Sequence, residues 1–132
     1  MSASLEMLLS AAKQARENAR PDYSGFKVGA AVEDSEGRIF AGCNVESASY
    51  GLTICAERSA LFTAVAAGAS AFRRVVVVTA ADKLTPPCGA CRQVMWDLCR
   101  DVEVTLANLH GATKTYQLSQ LLPEPFDAKS LD

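Results

Sequence analysis

Val75-Val76-Val77-Val78 and then, past Pro86-Pro87, Cys88-Gly89-Ala90-Cys91: a β-branched run leads through a proline-marked break into a C-x-x-C pair. Such a run reads as a strand buried on both faces. Pro87 suits the entry to a helix, where a missing N–H costs nothing. A helix is therefore expected from about Cys88 to Leu98, with Val94, Met95 and Leu98 on its core face. Cys88 and Cys91, three residues apart, would share one face of it and bind one ion. Gly89 would let the backbone approach that ion closely.

Upstream lies Ile54-Cys55-Ala56-Glu57-Arg58, whose cysteine precedes Cys88 by 33 residues. It is expected to open a second helix, about Cys55 to Ala67, with Thr53 as N-cap and Gly68 at its end. Three cysteines match the three protein ligands of a catalytic zinc, whose fourth position stays open for water. If both helices begin at these cysteines, their positive ends lower the thiol pKa values. Glu57, two residues after Cys55, turns away from it on an ideal helix. Both face one ion only if Cys55 lies at the very start of the helix. A redox C-x-x-C remains open at this point, as does a closed structural zinc site. Cys43, Cys99 and His110 are the other soft ligands, and none has paired spacing.

The rest of the chain supplies a sheet. Leu5, Leu8, Leu9, Ala12, Ala15 and Ala19 mark an amphipathic helix ended by Pro21. Phe26 to Val32 reads as a strand with small residues where something packs close. Asp34-Ser35-Glu36-Gly37 is a turn, and Arg38 to Asn44 is the returning strand. Asn44 to Gly51 is polar and irregular. Val102 to Ala107 and Lys114 to Gln117 are further strands. Leu118 to Leu122 is one helical turn before Pro123, and a mostly polar tail follows from about residue 124. The expected order αββαβαββ implies a mixed sheet with helices over its faces.

The 132 residues carry a formal charge of −2 and no basic stripe, which disfavours a long nucleic-acid ligand. One domain spanning 1–132 is expected, long enough to bury roughly two thirds of its unfolded surface. Five cysteines form no even disulfide framework, which suits a reducing compartment. No basic leader and no bilayer-length apolar run is present, so the expectation is a cytoplasmic protein with no membrane partner. The hydrophobic fraction, 49%, is high for a small domain and hints at subunit contacts.

From Tyr23 to Leu122 the sequence resembles the cytidine deaminases of the small homotetrameric, three-cysteine zinc class. The resemblance rests on Phe26-Lys27-Val28-Gly29-Ala30, Asn44-Val45-Glu46, Cys55-Ala56-Glu57-Arg58 and Pro87-Cys88-Gly89-Ala90-Cys91-Arg92-Gln93. It implies a three-layer αβα fold with a mixed sheet of about five strands, and hydrolytic deamination of cytidine and deoxycytidine in pyrimidine salvage. It implies one zinc per subunit on Cys55, Cys88 and Cys91, and Glu57 as the catalytic proton carrier. Asn44 and Glu46 would hold the ribose hydroxyls, and Phe26 would stack on the pyrimidine. The Ala56 N–H would serve as an oxyanion-type donor. Arg58 and Gln93 would donate to the ligand sulfurs and drain charge from them. Tyr50 and Phe126 would reach a neighbouring subunit's site in a homotetramer.

The family usually carries Ser or Thr where this chain has Pro86. The alternatives are a deaminase of another cytosine nucleoside such as blasticidin S, a polynucleotide editor, and a non-catalytic zinc-stabilised interaction domain.

Overall fold

In the computed structural model, which describes residues 2–132, five strands form one sheet in the order β2-β1-β3-β4-β5. The elements run α1 (Leu5–Arg16), β1 (Gly29–Asp34), β2 (Ile39–Cys43), α2 (Ala56–Ala66), β3 (Phe72–Thr79), α3 (Gly89–Cys99), β4 (Glu103–Asn108), β5 (Thr113–Gln117) and α4 (Leu118–Leu121). Short 3₁₀ turns lie at Tyr50–Leu52 and Ala128–Leu131. Only β3 and β4 pair in parallel, with Val77 opposite Leu106, and every other neighbouring pair is antiparallel. The sheet is mixed, as expected.

Alternation along the strands builds three layers. Val75, Val77, Val104 and Leu106 point to one face, where Ala60, Leu61 and Ala64 of α2 and Met95 of α3 cover them. Val76, Val78, Ala31 and Ala107 point to the other, where Leu8 and Ala12 of α1 lie. The valine run is buried on both faces because helices occupy both.

Two glycines set how closely the helices approach. A Cβ on Gly29 would lie 2.0 Å from the Ala12 carbonyl oxygen of α1. One on Gly42 would lie 2.4 Å from the Ala60 nitrogen of α2. Gly42 thereby presses α2 onto β2.

The first strand begins later than expected. It starts at Gly29, so Phe26 lies outside it, 40% exposed. The reason is the Asn44 side chain, which takes the hydrogen bonds that a neighbouring strand would have taken. Its Oδ1 accepts from Val28 N at 2.8 Å, and its Nδ2 donates to Phe26 O at 2.8 Å. The first helix stops at Arg16, three residues before Ala19. The polar tail is not featureless: Asp127 caps the final turn and accepts from Trp96 Nε1 at 3.2 Å.

Candidate active site

Both cysteine helices start one residue after their cysteine. Cys55 is the N-cap of α2 and Cys88 the N-cap of α3, each in extended backbone, and neither thiol caps its own helix. Thr53 is therefore not the cap, and its hydroxyl accepts from Ser47 N at 3.1 Å. Pro87 likewise stands before the cap of α3 instead of at its first position. The N-cap placement removes the geometric conflict noted for Glu57. The chain leaves Cys55 before the helical twist begins, so Glu57 on the first turn looks back at the same spot.

The three sulfurs converge. Sγ of Cys55 and Cys88 are 3.7 Å apart, and with Cys91 all three lie within 4.8 Å of one another. Zinc with sulfur ligands at about 2.3 Å in tetrahedral arrangement needs sulfurs roughly 3.8 Å apart. The donor set fits. Among the described residues no histidine or carboxylate joins the group at that spacing. A closed four-ligand site is not built here.

One hydrogen bond ties the Cys55 and Cys91 thiols together. The Cys55 thiol is pushed down to about 5, chiefly by the hydrogen bond with Cys91, with Arg58 and Cys88 adding to it against the effect of burial. Cys91 is pushed up by the same bond to Cys55 and by burial. Without a cation, the cluster keeps one thiolate at the cost of the other's ionisation. A bound divalent ion would let all three ionise.

Arg58 reaches the cluster from the first turn of α2. Its Nη2 lies 3.4 Å from Cys55 Sγ and 3.4 Å from the Thr53 carbonyl. Its pKa is driven up, first by the bond to Cys55. Gln93 does not reach the sulfurs. Its Nε2 donates to Phe126 O at 2.7 Å and to Asp97 Oδ1 at 3.2 Å, because it sits on the side of α3 that faces the tail. Gly89 has open space where its Cβ would be, so protein packing does not require a glycine there.

Glu57 is 4% exposed at the floor of a cavity of about 180 Å³. Burial pushes its carboxyl up to about 7, and the Cys55 charge adds to this, against its own backbone N–H. Val28, Asn44, Glu46, Cys55, Ala56 and Cys88 are among the other lining residues. Ala56 opens α2, where a helix leaves its N–H groups without intrahelical partners.

Backbone pairing brings the upper wall to this floor. Val45 and Ile54 exchange both N–H···O bonds at 3.0 Å, setting Asn44 and Glu46 beside Cys55. An outer hollow of about 370 Å³ adjoins, lined by Tyr23, Ser24, Glu46, Ser47, Tyr50 and Thr53. Glu46 and Thr53 belong to both spaces. Tyr23 and Tyr50 meet edge to face at 6.1 Å on its rim. Phe126 is 59% exposed on the tail and lines neither space.

Several positioning groups carried no readable signal. Arg92 donates from Nε to Pro87 O and from Nη1 to Leu121 O, each at 2.8 Å, and so braces the turn that delivers Cys88. Thr85 lines the cavity beside Pro86, and its hydroxyl lies 3.2 Å from that of Thr79. A hydroxyl is thus present one residue before Pro86. Each link joins groups distant in sequence or depends on backbone path, which residue spacing does not encode.

Comparison with known proteins agrees with this geometry. Residues 2–107 match the family described as "Cytidine and deoxycytidylate deaminase zinc-binding region". The cytidine deaminase of Halalkalibacterium halodurans is 47% identical over 128 residues, covering 96% of this chain and 97% of that protein. That of Sporosarcina psychrophila is 41% identical over 128 residues, covering 96% and 94%. The crystal structure of cytidine deaminase from Burkholderia pseudomallei superposes with a TM-score of 0.90 at 48% identity, covering 94% of this chain and all of that one.

Proposed function

This chain belongs to the family of cytidine and deoxycytidylate deaminases, and we propose that it hydrolyses cytidine and deoxycytidine to uridine and deoxyuridine, releasing ammonia, in pyrimidine salvage. The observation that carries the reading is the cluster of three cysteine sulfurs within 4.8 Å of one another, two of them lining one cavity with a buried glutamate.

Cys55, Cys88 and Cys91 hold one zinc per subunit. When bound, zinc lowers the pKa of a ligated water toward about 7, which makes a nucleophile available at neutral pH. Three thiolates exceed the ion's charge, and the Arg58 guanidinium beside Cys55 offsets the excess. Glu57 works as an acid–base group. Its carboxylate takes a proton from the attacking water and passes it to the ring nitrogen. It then takes the second proton, from the hydroxyl now on the ring carbon, and delivers it to the amine, so that the carbonyl forms as the C–N bond breaks and ammonia leaves. Burial that brings its pKa to about 7 suits a group that must both take and give protons at that pH. The Ala56 N–H serves as an oxyanion-type donor to the substrate, and Phe26, 40% exposed, stacks on the ring. Asn44 and Glu46 hold the sugar hydroxyls. Asn44 does so with an amide already tied to Phe26 and Val28, which leaves its second Nδ2 hydrogen and a lone pair on Oδ1.

Residues 1–132 act as one catalytic domain, and no described helix is long and apolar enough to cross a membrane. A cytoplasmic homotetramer accounts for the exposed Tyr50, Leu52, Phe62, Val65 and Phe126, with Tyr50 and Phe126 completing neighbouring sites. Gln93 then serves the partner's site by holding the tail that carries Phe126.

The test is turnover of cytidine, deoxycytidine, blasticidin S and single-stranded DNA by one preparation, before and after chelation and zinc return. Zinc-restored activity on the two plain nucleosides alone is expected. Activity confined to blasticidin S or DNA contradicts the reading. Sedimentation showing a fully active monomer contradicts the tetramer.

A further inference from the structure

Glu46 has most of its acceptor capacity occupied before any ligand arrives. Its Oε1 accepts from Tyr23 N at 2.9 Å and from Ser24 N at 2.8 Å. Its Oε2 accepts from the Ser24 hydroxyl. That hydroxyl in turn accepts from Phe26 N at 3.0 Å. A carboxylate has about four lone-pair sites, so three donors leave one. The free site is on Oε2, the oxygen whose direction Ser24 sets. Glu46 borders both the inner cavity and the outer hollow, so that site lies where they join.

We propose that Ser24 is a positioning residue for nucleoside binding, its hydroxyl aiming the last free acceptor site of Glu46 at the sugar. This rests on the nucleoside reading above. A glutamate has three rotatable side-chain bonds, and an unrestrained one loses that freedom when a ligand arrives. Here three hydrogen bonds have already restricted it, so less is lost on binding. The same bonds, that of the Ser24 hydroxyl foremost, hold the Glu46 carboxyl below the usual range, so the acceptor is a carboxylate at neutral pH. One hydroxyl thus links the segment that carries Phe26 to the segment that carries Glu46. They are joined across 22 residues of sequence, with no strand pairing at Ser24 itself.

The role separates from a structural one by substrate. Zinc-loaded full-length protein is assayed as wild type, Ser24→Ala and Ser24→Thr. KM and kcat are measured with cytidine, and inhibition constants against it with 2′,3′-dideoxycytidine, which lacks both sugar hydroxyls near Glu46. Ser24→Ala should raise KM for cytidine roughly tenfold, the scale of one charge-assisted hydrogen bond, with kcat little changed. Ser24→Thr, which keeps the hydroxyl, should restore KM. The dideoxycytidine constant should move less than about twofold, within the tenfold expected for cytidine. An equal loss for both ligands, a fall in kcat alone, or no change overturns the proposal. Should Ser24→Ala fail to fold, Ser24→Cys, near in size but a weak donor, must show the same split. A wild-type protein inactive on cytidine would instead contradict the function, and the two failures are distinct.

Discussion

At the inner end of the cavity the sulfurs of Cys55 and Cys88 and the carboxylate of Glu57 sit at the starts of two helices; at the outer end Asn44, Glu46, Ser24 and Tyr50 sit on irregular chain and a 3₁₀ turn. The inner groups are fixed by regular structure. An N-cap has one backbone conformation, and α2 and α3 are anchored in the core by Leu61 and Met95. The outer groups are fixed by one another, through Glu46 on Tyr23 and Ser24 and through Asn44 on Phe26 and Val28. Under the proposed function, the inner end serves the chemistry. The outer end, under the same proposal, is a hydrogen-bonded frame for binding, its groups tied to one another.

The comparison predicts losses of different kinds. Cys91→Ala removes one of three ligands and the buried thiol beneath α3. It should abolish zinc retention and turnover together, read as metal content after dialysis and cytidine absorbance. Retained zinc with full activity would separate the cluster from the chemistry.

Asn44→Ala strikes the frame. It strips the partners from Val28 N and Phe26 O in two part-buried hydrogen bonds, where the cost falls below the about 1–3 kcal/mol of a fully buried unpaired group. Lower stability to denaturant and a KM raised at least tenfold are expected, with zinc content unchanged. Loss of zinc in this variant would show that the two ends are not independent.

The smallest effect concerns pH. The Glu46 carboxyl is lowered in the folded protein, first by the Ser24 hydroxyl. Its charge is therefore present above the ordinary value and lost only as pH falls through the lowered one. The ratio of KM for Glu46→Gln to KM for wild type should stay constant from pH 8 down to about 5. A ratio shrinking between pH 7 and 5 would mean that Glu46 protonates in that range.

The same contrast explains what residue order made legible. Cys55, Glu57, Cys88 and Cys91 stand in short local motifs, and the helix starts that orient them are local too. The valine run announced the buried centre of the sheet, and Gly29 announced a close approach. The stretch from Phe26 to Val32 reads as one strand, while the bonds that free Phe26 come from Asn44, 18 residues away. Motif position alone points Gln93 at the sulfurs, yet its direction depends on where the tail lies. Ser24 gave no signal, since a serine before a glycine reads as turn chemistry whatever it touches. Local chemistry was visible, and partnerships across loops were not.

The central claim is that zinc binding and proton transfer belong to different residues in one cavity. It is tested most directly by Glu57→Ala, with zinc per chain and cytidine turnover measured on the same sample. One zinc per chain is expected, with turnover reduced by about 10²–10⁴-fold or more, the usual contribution of a positioned acid–base group. Unchanged turnover at full zinc occupancy would contradict it.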